Sequence, residues 1–146
     1  MNILFVCTGN TCRSAMAAAI MNRIADERYL DIRIESAGIF ADGNYPANDK
    51  AIETLKDYGI DLSYHRSQPV TDKLIVQCDL VLTMTEAHKQ FLAKLAAGKV
   101  YTLSEYVGEE GDIADPIYGT LDTYREVAKE LYRLLELLAD KLSEGK

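Results

Sequence analysis

Long apolar runs, a basic leader and tracts of Lys or Arg are all absent from this 146-residue chain, and each absence closes off a class of function. No segment approaches the roughly 20 apolar residues that a spanning helix needs. The apolar pattern that opens at Ile3 has no basic stretch before it, so neither a transmembrane helix nor a secretory leader is expected. Cysteine is scarce and odd in number, three in all, with two of them inside one polar loop. That is no disulfide framework, and it suits a reducing compartment where a thiol can do chemistry, so a cytoplasmic chain is expected. The formal net charge is -7, with no basic run to offset it. Nucleic acid and anionic membranes are therefore excluded as broad partners, and any bound anion must be attracted locally. Repeats, low-complexity segments and internal linkers are also missing, and 48% hydrophobic content over this length points to a single domain over 1–146 that buries its own core.

What is present is an alternation. Residues 2–6 (NILFV), 31–36 (DIRIES), 79–84 (DLVLTM) and 99–103 (KVYTL) read as short strands, partly β-branched and bounded by polar residues. Between them, 14–27, 48–59 and 85–98 carry helical spacing, the last two closing at Gly59 and Gly98. Residues 120–142 repeat Leu, Tyr and Val at i, i+3 and i+4, the stripe of an amphipathic helix. The order predicts an α/β fold in three layers: a parallel sheet with helices on both faces, and the ligand site beyond the carboxyl ends of the strands. The longest irregular segment in this reading, 108–120 (GEEGDIADPIYGT), is a candidate functional loop.

The stretch CTGNTCRS, Cys7 to Ser14, lies where the first strand gives way to the first helix. Main-chain N–H groups and a helix N-terminus converge at such a turn and attract an anion, which makes Thr8, Gly9, Asn10, Thr11 and Cys12 phosphate-binding candidates. Gly9 and Asn10 tolerate the positive φ that such loops often need. The helix dipole, the N–H groups and Arg13 favour a thiolate at Cys7, the candidate nucleophile. Arg13 can grip two oxygens of a tetrahedral oxyanion, and Ser14 can donate to the sulfur as it leaves. Cys12 reads equally well as a redox partner of Cys7 or as a small residue at a helix start. Cys78 reads as buried and inert.

A nucleophile that attacks phosphorus needs an acid for the leaving group and a base for water. Asp115, with Pro116 fixing its backbone and Tyr118 as an aromatic wall, is the candidate. Asp112 reads as a solvated loop charge, and His88 as solvated on its helix.

CTGNTCRS near the start and DPIYG near the end resemble the low-molecular-weight protein tyrosine phosphatases, whose pattern is Cys-x-Gly-Asn-x-Cys-Arg-Ser followed by a distant Asp-Pro. The resemblance spans nearly the whole chain and includes 35–38 (ESAG) and 59–67 (GIDLSYHRS). It implies a four-stranded parallel sheet and double displacement through a phosphocysteine, without cofactor or metal. Cys7 is then the nucleophile, Arg13 the phosphate holder, Ser14 its thiolate support and Asp115 the acid and then base, while Asn10, Ser36 and His65 shape the loop. Phosphorylated proteins are the implied partners, with free phosphate or other oxyanions able to enter the loop.

Two departures bear on substrate. Thr11 stands where many relatives have an aliphatic residue, resembling the protein arginine phosphatase branch, and Ala15 replaces a common proline. Tyr118 keeps a feature of tyrosine phosphatases, although Ile117 replaces an aromatic residue often found beside it. Phosphoarginine and phosphotyrosine both stay open, with the balance tilted to phosphoarginine. An arsenate reductase would need a further cysteine pair, which residues 82–91 (LTMTEAHKQF) lack, and a phosphocysteine carrier would not need both Arg13 and Asp115. A phosphate-binding module without catalysis would tolerate loss of Asp115.

Overall fold

In the computed structural model, which describes residues 1–96 and 98–144, strands β1 (Asn2–Cys7), β2 (Arg33–Gly38), β3 (Leu80–Thr83) and β4 (Val100–Thr102) form one sheet. The order is β2-β1-β3-β4 and every pairing is parallel. β1 is central, and its side chains alternate between two cores. Ile3 and Phe5 enter one, Leu4 and Val6 the other, and all four are fully buried. Burial on both faces is why this strand reads as an unbroken apolar run rather than an alternating one.

Helices α1 (Arg13–Arg28), α2 (Asp49–Lys56), α3 (Asp72–Gln77), α4 (Glu86–Ala93), α5 (Leu103–Tyr106) and α6 (Leu121–Glu144) complete the described structure. The core that holds Ile3 and Phe5 is closed by α1, α2 and α6, and the opposite core by Ile75 of α3 and Leu92 of α4. The expected three layers are present. Along α6, Tyr124, Val127, Ala128, Leu131, Leu134, Leu135 and Leu138 are buried, the stripe legible in the sequence. The alanines of α1 allow it to lie between the sheet and α6, and Arg28 fastens the far end to Asp140 at 2.6 Å.

The structure departs from the sequence reading in four places. β2 begins two residues late and continues through Gly38, because its register on β1 pairs Asn2 with Arg33 and Cys7 with Gly38. The strand expected over 99–103 stops at Thr102, whose hydroxyl accepts from Glu105 N while the Glu105 carboxylate accepts from Thr102 N, a capping box that starts α5. α3 was not anticipated; it shortens the span between α2 and β3, and the connection 57–71 that it leaves is still slightly longer than the late loop, which is therefore not the longest irregular segment. α4 ends at Ala93, short of Gly98, which has φ 94°; residue 97 of that expected helix, like 145 and 146 of the expected domain, lies outside the described residues. Among the described residues no helix is long and apolar enough to cross a membrane.

The loop after β1 therefore emerges at the centre of the sheet's carboxyl edge. The late loop reaches it because Ile113 N donates to Met84 O at 2.9 Å and the Asp112 carboxylate accepts from Glu86 N at 2.9 Å. Asp112 is exposed, as expected of a solvated charge, yet it also tethers that loop to the start of α4.

Candidate active site

The main chain of residues 7–12 is turned so that its carbonyls face the protein. Cys7 O and Thr8 O accept from Ile39 N and Phe40 N, Thr11 O from Asn48 N and Cys12 O from Met16 N, all at 2.9 Å. Asn10, at φ 60°, presents its carbonyl to His65 Nε2 at 2.7 Å. Among the described residues no acceptor takes the N–H groups of Gly9, Asn10, Thr11 or Cys12. They are left on the concave side, where α1 begins without a capping side chain and without an acid in its first turn. Donors collected at an uncapped helix start form an anion cradle.

Gly38 makes this turn possible. A Cβ built on it would lie 2.6 Å from Thr8 O and 2.9 Å from Asn10 N, so the β2 backbone can approach the loop only where no side chain intervenes.

The side chains behind the cradle form a chain whose donors can be assigned. Gln68 N donates to Asn10 Oδ1 at 3.0 Å, which fixes the amide so that Asn10 Nδ2 donates to Ser14 Oγ at 2.8 Å. The single proton of Ser14 is then left for Cys7 Sγ, 2.9 Å away. Because Asn10 O can only accept, His65 carries its proton on Nε2, and burial holds the ring's pKa below its ordinary value. Ser36 enters the network through its main-chain oxygen, which accepts from Gln68 Nε2 at 2.9 Å. Gln68 is the member that sequence reasoning missed; a glutamine in an irregular connection carries no local signal.

Cys7, Thr8, Gly9, Asn10, Thr11, Cys12 and Arg13 line one cavity of about 120 Å³ together with Asp115 and Ile117. Arg13 is buried, and its guanidinium donates to Ile113 O at 3.0 Å and to Thr8 Oγ1 at 3.4 Å. Its Nη2 lies 3.4 Å from the half-exposed carboxylate of Asp115. The other Asp115 oxygen accepts from Ile117 N at 3.1 Å, a turn that Pro116 helps to set. The Cys7 sulfur, a buried guanidinium and a half-exposed carboxylate thus surround a volume that suits a tetrahedral oxyanion. Tyr118 is not part of this wall: its side chain is 98% exposed, and Ile117 occupies the lining position instead.

Two further residues depart from their sequence reading. His88 is buried rather than solvated, with Nε2 2.9 Å from Thr8 Oγ1, and burial together with the Arg13 charge lowers its pKa to about 4. The signal was its spacing, since His88 and Leu92 are four apart and share the inward face of α4. Cys12 lies 3.4 Å from the buried hydroxyl of Tyr124, and burial raises the pKa of both groups. All three cysteines are free thiols, Cys78 buried as expected.

Comparison with known proteins places this geometry. The model of the family described as low molecular weight phosphotyrosine protein phosphatase matches residues 2–146. A protein-arginine-phosphatase of Bacillus subtilis is 45% identical, covering all of this chain and 99% of that one. A low molecular weight protein-tyrosine-phosphatase, PtpB, of Staphylococcus haemolyticus is 39% identical over 92% of this chain and 95% of its own. Among solved structures, the YwlE arginine phosphatase, in a Cys-to-Ser mutant with a phosphorylated active site serine, superposes with a TM-score of 0.95 at 45% identity, covering 98% of this chain and 96% of that one.

Proposed function

The chain belongs to the low molecular weight phosphotyrosine protein phosphatase family, and from that premise we propose that it removes phosphate from phosphoarginine in proteins, with Cys7 as nucleophile. The Cys7 sulfur attacks phosphorus in line, forming S–P as P–N breaks, while Asp115 delivers a proton to the departing guanidine nitrogen. Arg13 and the loop N–H groups hold the three equatorial oxygens as charge spreads over them. Water then attacks phosphorus with Asp115 taking its proton, and S–P breaks as the Ser14 hydroxyl donates to the leaving sulfur. Asn10 and His65 keep the loop in shape for both steps. No metal or cofactor enters either displacement.

The observation that carries the phosphoarginine reading is Thr11. Its hydroxyl lies in the cavity wall with Cys12 Sγ, at 3.8 Å, as its hydrogen-bonding neighbour, while its main-chain oxygen is already engaged by Asn48. That contact, long and to the adjacent residue, is the hydroxyl's one hydrogen bond among the described residues, so it can be exchanged for an N–H of a departing guanidine, which a tyrosine ring does not offer. The arginine phosphatase names among relatives at 45% and 41% identity support the same choice, as does the exposure of Tyr118 away from the cavity.

The test is phosphate release from matched phosphoarginine and phosphotyrosine peptides by wild type, Thr11→Ile and a Cys7→Ala blank. We expect phosphoarginine to be preferred and Thr11→Ile to reverse the preference. We expect phosphotyrosine and simple aryl phosphates to be cleaved as well, since a phenolate is a good leaving group. A wild-type preference for phosphotyrosine that Thr11→Ile leaves unchanged would make Thr11 scaffolding and the enzyme a tyrosine phosphatase.

A further inference from the structure

His88 stands outside the cavity lining and takes no part in either displacement, yet it is a buried titratable group hydrogen-bonded to a residue of the phosphate loop. Its Nε2 is 2.9 Å from Thr8 Oγ1, and the same oxygen accepts from Arg13 Nη2 at 3.4 Å. Its other nitrogen, Nδ1, is buried and has no hydrogen-bond partner among the described residues. The ring is held from its own helix, where His88 N donates to Thr85 Oγ1 at 3.2 Å at the first turn of α4.

We propose that His88 is a positioning residue for the oxyanion cradle, acting through the Thr8 hydroxyl on Arg13. Arginine can only donate, so Thr8 Oγ1 accepts from it. A buried N–H without an acceptor is the costlier omission, which favours the ring proton on Nε2 rather than on the unpartnered Nδ1. Thr8 then accepts from both His88 and Arg13, and its own proton is directed away from the two donors, toward the cavity it lines. The imidazole thus holds the hydroxyl in the one rotation that braces Arg13 and offers a further donor to the oxyanion. Its neutrality matters because a second positive charge beside the buried guanidinium would repel it. An apolar side chain at 88 would fill the space but leave Thr8 free to turn.

This inference rests on Arg13 being the phosphate holder, as proposed above. The experiment compares His88→Leu, His88→Gln and His88→Asn, each in the wild-type and Thr8→Val backgrounds, with Arg13→Ala alongside. Measured are kcat and KM on a simple aryl phosphate, the inhibition constant of inorganic phosphate, and Tm. The Gln amide can reach the position of Nε2 and either donate or accept there; the Asn amide is too short. We expect His88→Leu and His88→Asn to lower kcat/KM and weaken phosphate inhibition by about tenfold, the worth of one hydrogen bond to a charged site, and His88→Gln to restore both to within about threefold. In the Thr8→Val background the Leu and Gln variants become equal. The inference is overturned if His88→Gln is as impaired as His88→Asn, or if the Leu-to-Gln difference persists without the Thr8 hydroxyl. Should His88→Leu not fold, the Gln and Asn pair decides alone. Failure of the broader reading shows separately, as retention of activity in Arg13→Ala.

Discussion

At the scale of single residues, the site works by spending each proton once. Asn10 donates to Ser14 because Gln68 fixes its amide, and Ser14 therefore has its proton for Cys7. His88 shows the same economy and adds a cost that pH can reveal. Its pKa in the fold is lowered to about 4 by burial first and the Arg13 charge second, against about 6.5 when the chain is unfolded. Between those values the unfolded chain binds a proton that the native one refuses. Stability from this group is therefore complete above about pH 6.5 and is lost as pH falls toward about 4, by at most about 3 kcal/mol. Half-buried His65, shifted in the same direction, adds to the trend. Denaturant unfolding between pH 7 and pH 4 is expected to show a steep decline in the wild type and a shallower one in His88→Gln. Equal slopes in the two proteins would mean that His88 titrates freely in the fold.

At the scale of elements, the cradle is a property of β2 as much as of the loop itself. β2 extends to Gly38 only because that residue has no side chain to meet Thr8 O and Asn10 N. Gly38→Ala must push the loop by several tenths of an ångström, an overpacking cost of about 2 kcal/mol, or roughly 5 °C in Tm for a chain of this size. Activity should fall more steeply than stability, because the N–H groups that hold phosphate are the ones displaced. Calorimetry with steady-state turnover on an aryl phosphate checks this; unchanged turnover with unchanged Tm would show that the loop yields freely. The sequence disclosed this level unevenly. β1, α1 and α6 were legible because burial on two faces or on one helical stripe leaves a long pattern. α3, with six residues, and α5, with four, are too short for periodicity to separate from strand or loop, and the Thr102 to Glu105 capping box that starts α5 went unread within an expected strand. That Cys7, Arg13 and Asp115 gather round one cavity was likewise legible, since their order and spacing match a chemical pattern. Gln68 was not, because it acts through a contact 58 residues distant in sequence, and His88 showed its burial in its spacing with Leu92 but not its partner 80 residues away.

At the scale of the whole molecule, a chain with a net charge of -7 concentrates donors suited to an anion at one point. Four segments meet at the carboxyl edge of the sheet: the loop after β1, the end of β2, the start of α4 and the loop before α6. The long-range repulsion is overcome locally, by a buried guanidinium, N–H groups turned inward and a helix start left uncapped. What this assembly is for comes down to one covalent bond between Cys7 and phosphorus. The most direct test is to mix wild type and Asp115→Asn with an aryl phosphate, whose good leaving group needs little help from an acid, quench within a turnover, and map the modified peptide by mass spectrometry. The account predicts one phosphoryl group on Cys7, more abundant in Asp115→Asn because hydrolysis lacks its base, and none on Cys12 or Cys78. A phosphoryl group on any other residue, or undiminished hydrolysis by Cys7→Ala, would contradict it.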